Sequence, residues 1–292
     1  MYELVQVGKN SFYINSPAKI GVYKQSENEV YLIDSGNDKD AGRKIRKILD
    51  ENGWNLKGII NTHSNADHIG GNRYLQQQYN CRVFSAGIEK AFTEHTLLEP
   101  SFLYGGYPFK ELRHKFLQAE ESVVTDFSDE SFPKELEIIP LPGHFFDMVG
   151  IRTPDNTVFL ADCISSKSTL EKYQLAFIYD VKSYLDTLDM VERLSADIFV
   201  PSHAEAEKDL SELIDFNRKK IYEIADSILS ICSQPSNFEE ILKQLFDRYC
   251  LTMSFEQYVL VGSTLRSYLS WLKDSDKLKA SFGGNYLNWL HN

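Results

Sequence analysis

The stretch NTHSNADHIGGN, residues 61–72, places two histidines and an aspartate close together. These residues are His63, Asp67 and His68, and Asn65 stands between the first histidine and the aspartate. Imidazole nitrogens and carboxylate oxygens are ligands for zinc, iron and manganese. A short motif of this kind also arises by chance at the start of a solvated helix. Taken alone, the motif leaves a metal site and an incidental cluster equally open.

Three further candidate ligands each end an apolar strand pattern. His144 ends IIPLPGH, Asp162 ends VFLAD, and His203 ends IFVPSH. Strand ends gather along one edge of the sheets in a layered α/β domain, so these side chains can meet the first motif. The combined pattern predicts a metal centre built from His63, Asp67, His68, His144, Asp162 and His203.

The elements that must position these residues follow from the apolar pattern. Short apolar or alternating segments, such as SFYINS and EVYLIDS, predict strands in the N-terminal half. DKDAGRKIRKILDENGW predicts a helix, because Ile45, Ile48 and Leu49 follow helical spacing. LKGIINT then predicts a buried strand that ends at His63, and HIGGNRYLQQQYN predicts the next helix. This alternation of strands and helices predicts an α/β layered domain.

Composition and charge narrow the function. The chain is 42% hydrophobic and 25% charged, which is ordinary for a soluble globular protein. A formal charge of -11 makes nucleic acid an unexpected partner. No signal-peptide pattern is visible and no segment approaches about 18 continuous apolar residues, so no membrane partner is expected. The four cysteines are far apart and form no CxxC pair, which favours reduced thiols in a cytoplasmic protein.

The order of the motifs resembles that of the metallo-β-lactamase-fold hydrolases, close to their glyoxalase-II-like branch. THSNADH resembles the family's HxHxDH, and the other matches are LIDSG (32–36), PGH (142–144), LAD (160–162) and PSH (201–203). The resemblance covers residues 1–208 and implies a four-layer αββα sandwich. It also implies that Asp34, in the LIDSG turn, supports the ligands.

The resemblance implies two adjoining metal sites with one carboxylate between them. Asn65 stands where the family has its second histidine, and an amide oxygen is a poorer ligand for zinc than imidazole. We therefore expect the first site to bind more weakly, with one or two zinc ions per chain and iron or manganese as alternatives. The implied ligands are His63 and His144 at the first site, Asp67, His68 and His203 at the second, and Asp162 between them.

Such a site supports hydrolysis, because a bound metal ion lowers the pKa of water and polarises a carbonyl or phosphoryl oxygen. Asp67 is the expected catalytic residue, since it can orient the water or accept its proton. The expected substrate is a small ester, thioester or lactone. Three alternatives stay open: a mononuclear iron oxygenase resembling the persulfide dioxygenases of this fold, which would use His63, His144 and Asp162; a lactamase-like nuclease; and a catalytically degenerate ligand sensor.

The pattern changes after His203, and we place a domain boundary near Asp209. Residues 1–208 are predicted to form the catalytic domain, with an aromatic-rich insertion at about 89–132. Residues 209–292 predict amphipathic helices and then two short strands around a Gly-Gly-Asn turn, as in a winged-helix-like module. The excess of acidic residues in this module favours packing or a homodimer contact over DNA binding.

Overall fold

The computed structural model describes residues 2–292. Two β-sheets lie face to face, and helices cover the outer face of each sheet. This arrangement confirms the predicted α/β class and the αββα order of layers.

The first sheet has seven strands, whose spatial order is their order in the chain. The first four strands pair antiparallel with one another. The fourth to the seventh strands pair parallel. The strands are β1 (Glu3–Gln6), β2 (Ser11–Asn15), β3 (Ile20–Lys24), β4 (Glu29–Ile33), β5 (Asn55–Ile60), β6 (Arg82–Ser85) and β7 (Val124–Asp126). Its helices are α1 (Lys39–Glu51), α2 (Ala66–Ile69), α3 (Asn72–Tyr79), α4 (Gly87–Glu94) and α5 (Leu98–Tyr104), and a 3-10 turn spans Lys110–Leu112.

The second sheet has four strands: β8 (Glu137–Pro140), β9 (Val149–Arg152), β10 (Thr157–Ser165) and β11 (Ile198–His203). Their spatial order is β11-β10-β9-β8, and only β10 and β11 are parallel. The helices α6 (Lys167–Tyr173) and α7 (Val181–Glu192) connect the last two strands. This crossover brings the ends of β10 and β11 to the same edge of the sheet.

The C-terminal region consists of α8 (Ser211–Ile231), α9 (Phe238–Arg248) and α10 (Phe255–Asp274) with a small sheet. That sheet contains β12 (Ser236–Asn237), β13 (Leu278–Gly283) and β14 (Tyr286–His291), in the order β12-β14-β13. The predicted hairpin is present, and Gly284 and Asn285 at its turn both have positive φ. The winged-helix character of this region and the boundary near Asp209 stay predictions.

Alternation along the strands separates the layers. In β4, Leu32 packs toward the outer helices, whereas Tyr31 and Ile33 pack between the sheets. In β10, Leu160 packs outward and Phe159 packs between the sheets. Strands β4 and β10 are therefore buried on both faces, as expected for sheets between two layers.

The predicted helix that begins at His68 is two helices in the structure, α2 and α3. The chain turns at Gly70 and Gly71 because the loop after β4 passes close to them. A Cβ atom on Gly71 would lie 2.3 Å from the carbonyl oxygen of Ser35. The two glycines thus allow the loop after β4 and the start of α3 to approach closely.

Two further features concern the described residues 2–292. None of their helices combines the length and apolar character needed to cross a membrane. The four cysteines are free thiols, and only Cys250 is exposed.

Candidate metal centre

All six predicted ligands converge at one edge of the two sheets. Their nitrogen and oxygen atoms form two groups of three, and the atoms within each group lie within 4.8 Å of one another. Both groups contain imidazole and carboxylate donors, which are the ligands of catalytic zinc sites. The first group is His63, His144 and Asp162, and the second group is Asp67, His68 and His203.

Asp162 lies between the two groups. Its Oδ1 atom is 3.2 Å from Nε2 of His68, and its Oδ2 atom is 3.2 Å from Nε2 of His203. The same Oδ2 atom is 3.7 Å from Nε2 of His144. From this position Asp162 would be able to contact a cation held by either group.

A local irregularity in β10 sets the direction of Asp162. The pairing of β10 with β11 shifts register at Ala161, whose φ of 51° is in the left-handed region. Such bulges re-aim side chains beside functional sites. Cys163, the next residue, is fully buried in the apolar cluster outside the second sheet, as the alternation of the strand predicts.

His144 is held by the backbone of the loop between β8 and β9. Gly143 has a φ of 122°, and a Cβ atom there would lie 2.3 Å from the backbone nitrogen of Tyr184. The Gly143 carbonyl accepts hydrogen bonds from the N–H groups of Tyr179 and Asp180. Only glycine fits this backbone, which brings Gly143, the residue before His144, against the start of α7.

A buried hydrogen-bond chain orients the histidines of the first motif. Asp34, with a φ of 65°, accepts bonds from the Thr62 N–H (2.8 Å), the Thr62 hydroxyl (2.7 Å) and Nδ1 of His68 (2.8 Å). Because the Thr62 hydroxyl donates to Asp34, the Nδ1–H of His63 donates to Thr62 across 3.0 Å. Nε2 of both histidines therefore faces the centre. Asp34 makes the supporting contacts that the resemblance implied.

The donor set passes a test of whether it fits a metal ion. Within residues 2–292, the buried Nε2 atoms of His63 and His68 and Oδ1 of Asp162 have no partner in hydrogen-bond geometry, although Nε2 of His68 and Oδ1 of Asp162 lie only 3.2 Å apart. Leaving one such group unsatisfied costs about 1–3 kcal/mol. A cation bound to each group would satisfy these atoms, so the residues fit bound metal ions.

The two groups differ in the protonation of their histidines. Burial lowers the pKa of His63 well below its usual value, and the neighbouring His68 lowers it further. Burial likewise lowers the pKa of His144. Both residues of the first group are therefore neutral near pH 7, which is the form that binds metal.

In the second group, neighbouring carboxylates change the pKa values of the histidines more than burial does. Burial alone would lower the pKa of His203, but Asp162 and Asp67 raise it to about 10. The same carboxylates, with Asp34, raise the pKa of His68 well above its usual value despite burial. Burial would raise the pKa values of both aspartates, but the adjacent histidines lower them, so both carboxylates stay ionised.

Asn65 directs its amide oxygen at the first group. Its Nδ2 donates to Oε1 of Glu99 at 2.7 Å, and its Oδ1 lies 3.2 Å from Nε2 of His144. Asn65 occupies the N-cap position of α2, yet its side chain makes no capping hydrogen bond. The Asn65 side chain therefore contacts Glu99 and His144 and does not cap the helix.

Sequence reasoning missed two buried glutamates behind this loop. Glu99 holds Asn65, and Glu89 accepts bonds from the Ser64 N–H and hydroxyl and from the Asp147 N–H. Burial raises the pKa of Glu89 to about 7 and that of Glu99 well above its usual value. Each lies in the first turn of a helix, where acidic residues are ordinary, so no local signal separates them from surface acids.

Aromatic rings from the insertion and neighbouring loops pack behind the first group. Phe145 contacts Phe92 and Phe102 edge to face, at 5.3 and 6.2 Å between centroids. Phe177 lies edge to face against His144 at 5.5 Å. This wall removes water from one side of the centre, which explains the burial of its histidines.

Comparison with known proteins agrees with this geometry. A family model described as "Metallo-beta-lactamase superfamily" matches residues 16–203, which is more than half of the chain. The "Probable metallo-hydrolase YybB" of Bacillus subtilis (strain 168) is 25% identical over 201 residues, covering 66% of this chain and 86% of that protein. A hydroxyacylglutathione hydrolase of Nitrobacter hamburgensis is 49% identical over 47 residues, which is 16% of this chain and only 18% of that enzyme.

Two solved structures extend the likeness to the C-terminal helices. A beta-lactamase domain protein from Burkholderia ambifaria has a TM-score of 0.73 at 14% identity, covering 99% of this chain and 94% of its own. A metallo-beta-lactamase family protein from Thermus thermophilus has a TM-score of 0.69 at 16% identity, covering 99% of this chain and 97% of its own. At these identities the likeness establishes the fold alone.

Proposed function

The chain belongs to the metallo-beta-lactamase superfamily, and from that premise we propose that it is a metal-dependent hydrolase of a small ester, thioester or lactone. The observation that supports this most is the joining of two His/Asp groups through Asp162, within 3.2 Å of both His68 and His203. Thioesters belong among the candidates because the chain matches short segments of hydroxyacylglutathione hydrolases.

We propose zinc as the ion, with one or two per chain. When bound, a metal ion supplies Lewis acidity toward a carbonyl oxygen and toward a water molecule. The complete second group should hold its ion more firmly than the first, where Asn65 supplies only a neutral amide oxygen. The residues that would hold the ions are His63, His144 and Asp162 in the first group, and Asp67, His68 and His203 in the second.

Asp67 is the proposed catalytic base. It is ionised near pH 7, its Oδ2 atom lies 3.4 Å from Nε2 of His203, and 42% of its side chain is exposed. It can accept a proton from a water molecule that attacks the acyl carbon. As the bond to the leaving alcohol or thiol breaks, the same carboxyl can return the proton to that leaving group.

The first experiment is metal analysis by plasma mass spectrometry of the protein purified without added metal or chelator. The same sample is then tested against esters, thioesters and lactones. One or two zinc ions per chain with hydrolysis that a chelator abolishes would support the proposal. A protein that keeps no metal, and hydrolyses nothing after zinc or manganese is added, would contradict it.

Asp67→Asn tests the base directly. The variant keeps an oxygen at the site but cannot accept the proton, so kcat should fall about 100-fold or more. Metal content is measured in parallel, to separate loss of the base from loss of the ion. The matched control is Asp40→Asn, an exposed aspartate on α1, which should leave kcat unchanged.

One observation favours a second candidate, a mononuclear iron oxygenase. The first group offers two histidines and one carboxylate, His63, His144 and Asp162, which is the ligand set of non-haem Fe(II) oxygenases. This candidate predicts one iron per chain and dioxygen consumption with a thiol persulfide. Zinc without iron in the purified protein would exclude it.

A further inference from the structure

The metal centre opens into a pocket of about 240 Å³ beside the first group. His144 and Asp162 lie at one end of the pocket. Residues 165–177 form one wall, and the N-terminal half of α10 forms the opposite wall. A substrate held with its carbonyl at the metal centre must therefore place part of its body between these walls.

The lining of this pocket is apolar with a few neutral polar groups. Leu175, Phe177 and Leu260 supply apolar surface. The neutral polar side chains of the lining are Ser165, Thr169, Tyr173 and Gln257. Within residues 2–292, no lysine or arginine lines the pocket. Away from the end that would hold metal ions, a carboxylate in the pocket would therefore meet no cationic lining side chain, and burying an unpaired charge is costly.

Hydrogen bonds to other side chains fix the backbones of Ser165 and Gln257. The Ser165 N–H and carbonyl are both held by the side chain of Asn217, at 3.0 and 2.8 Å. The backbone N–H of Gln257 is bonded to the Ser254 hydroxyl that caps α10. The Ser165 hydroxyl and the Gln257 amide thus stand at the pocket surface on a fixed backbone.

C-terminal helices also fix the wall that carries Phe177. The Thr264 hydroxyl accepts a hydrogen bond from the Ile178 N–H, and the Ser267 hydroxyl donates to the Tyr179 carbonyl at 2.6 Å. The Tyr179 N–H in turn donates to the carbonyl of Gly143, beside His144. Helix α10 therefore shapes the pocket and is connected by hydrogen bonds to a candidate ligand.

The volume of the pocket limits the size of the group that it can hold. A cavity of about 150 Å³ is enough for benzene. By that scale, a pocket of about 240 Å³ takes roughly nine non-hydrogen atoms. A short acyl chain fills the pocket, whereas a peptide-sized acyl group would extend beyond its walls into solvent.

We propose that this pocket binds the acyl part of the substrate, and that this acyl group is short, mainly apolar and uncharged. The inference rests on the proposed hydrolase function, which places the scissile carbonyl at the metal centre. Helix α10 is then a specificity wall, and Gln257 is the polar side chain that this helix contributes to the pocket.

Binding is tested apart from catalysis with two amides of equal length that an esterase does not cleave. N-methylpentanamide is neutral, and N-methylglutaramate carries a carboxylate at the far end of the chain. Saturation-transfer NMR on the metal-loaded protein should show binding of the neutral amide only. Equal or tighter binding of the anionic amide that excess acetate does not displace from the metal ions, or no binding of either amide, would overturn the proposal.

A positive charge introduced into the pocket sharpens the test. Gln257→Lys places an ammonium group on the pocket wall, near the solvent end of α10, where it should tolerate a charge. The variant should bind the anionic amide at least ~10-fold more tightly than the wild type does. Ser270→Lys adds the same charge at an exposed position of the same helix and should not change the preference. A gain with Ser270→Lys equal to that with Gln257→Lys would refute the role of the pocket.

Hydrolysis of p-nitrophenyl pentanoate and p-nitrophenyl hemiglutarate is measured on the same samples. The neutral ester should have a kcat/KM at least ~10-fold higher, and Gln257→Lys should narrow or reverse this ratio. If the neutral amide binds in the pocket and neither ester, nor the thioester of either acyl group, nor any lactone is cleaved, the hydrolase proposal fails, and the pocket binds a short neutral group of a ligand that is not hydrolysed. If both esters are cleaved equally, the hydrolase proposal stands and the pocket assignment fails.

Discussion

Asn65 decides how strongly the first group binds its ion. Glu99 accepts a hydrogen bond from Nδ2, so the oxygen of the amide, and not its nitrogen, faces His144. An amide oxygen carries no charge and donates less electron density to zinc than an imidazole nitrogen does. The first group is therefore a site with good histidine and carboxylate donors and one weak amide donor, held in place by a buried carboxyl.

Asn65→His should strengthen the first group. The new imidazole would lie near His63 and His144, and the affinity for zinc there should rise at least ~10-fold. Titration against a chromophoric chelator measures this affinity. The control is Asn28→His, which adds a histidine at an exposed position between β3 and β4. An unchanged or weaker affinity would mean that the native site depends on the amide itself.

Proton release should distinguish the two groups. In the metal-free protein the pKa of His203 is about 10 and that of His68 lies well above its usual value, so both carry an extra proton near neutral pH. A metal ion binds neutral imidazole, so binding at the second group must release protons. The pKa values of His63 and His144 are lowered, so binding at the first group should release almost none.

Calorimetric titration with zinc, in two buffers of different ionisation enthalpy, counts these protons. We expect about two protons per ion at the second group and an affinity that rises with pH up to about 10. The folding stability of the metal-free protein has the opposite pH dependence and falls as pH rises. Stability from the His203 cation is fully present below its usual pKa of 6.5 and is lost as pH rises through about 10. Identical heats in both buffers would contradict this assignment.

At the scale of elements, the sequence predicts where the candidate ligands lie but not how they are aimed. His63 and His203 could be placed at strand ends because apolar runs precede them. The bulge at Ala161 and the bond between Asn65 and Glu99 could not be predicted. They depend on register and on contacts between residues far apart in the chain.

The walls of the pocket could not be predicted from the sequence for the same reason, since they depend on contacts between distant parts of the chain. Gln257 and Leu260 lie on an amphipathic helix, and their pattern predicts only that one face is buried. Which face meets the metal centre depends on how α10 packs against residues 165–177. The split of the predicted helix at Gly70 is also a tertiary effect, because the loop after β4 packs closely against Gly70 and Gly71.

The loop that carries His144 should tolerate no side chain at Gly143. A Cβ atom in Gly143→Ala would meet the Tyr184 backbone at 2.3 Å on a backbone of φ 122°. We expect a loss of about 3 kcal/mol or more in the free energy of unfolding, together with weaker metal binding at the first group. Thermal unfolding and chelator competition measure the two effects.

Gly106→Ala is the matched control for that variant. The nearest atom to a Cβ there is 4.0 Å away, and this glycine has no positive φ. The control should change stability by less than about 1 kcal/mol. If Gly143→Ala were as stable as the control and bound metal normally, the loop would not be fixed by its backbone.

At the scale of the whole molecule, the apolar core outside the second sheet continues across the predicted boundary near Asp209. Leu188 of α7, Ile228 of α8 and Leu265 of α10 are fully buried members of one apolar cluster. The C-terminal helices thus occupy the outer helical layer of the sandwich. A core shared in this way should unfold as one unit, although the sequence pattern predicts two domains.

Leu265→Ala tests that cooperativity. Removing this buried side chain should cost about 2–5 kcal/mol and lower the midpoint of a single transition for the whole chain, as followed by calorimetry. Leu49→Ala, in the core outside the first sheet, should lower the same transition by a similar amount. Two separate transitions, each sensitive to only one of the substitutions, would instead show that residues 209–292 fold independently. In that case α10 could move relative to the metal centre, and the pocket between them would change shape with it.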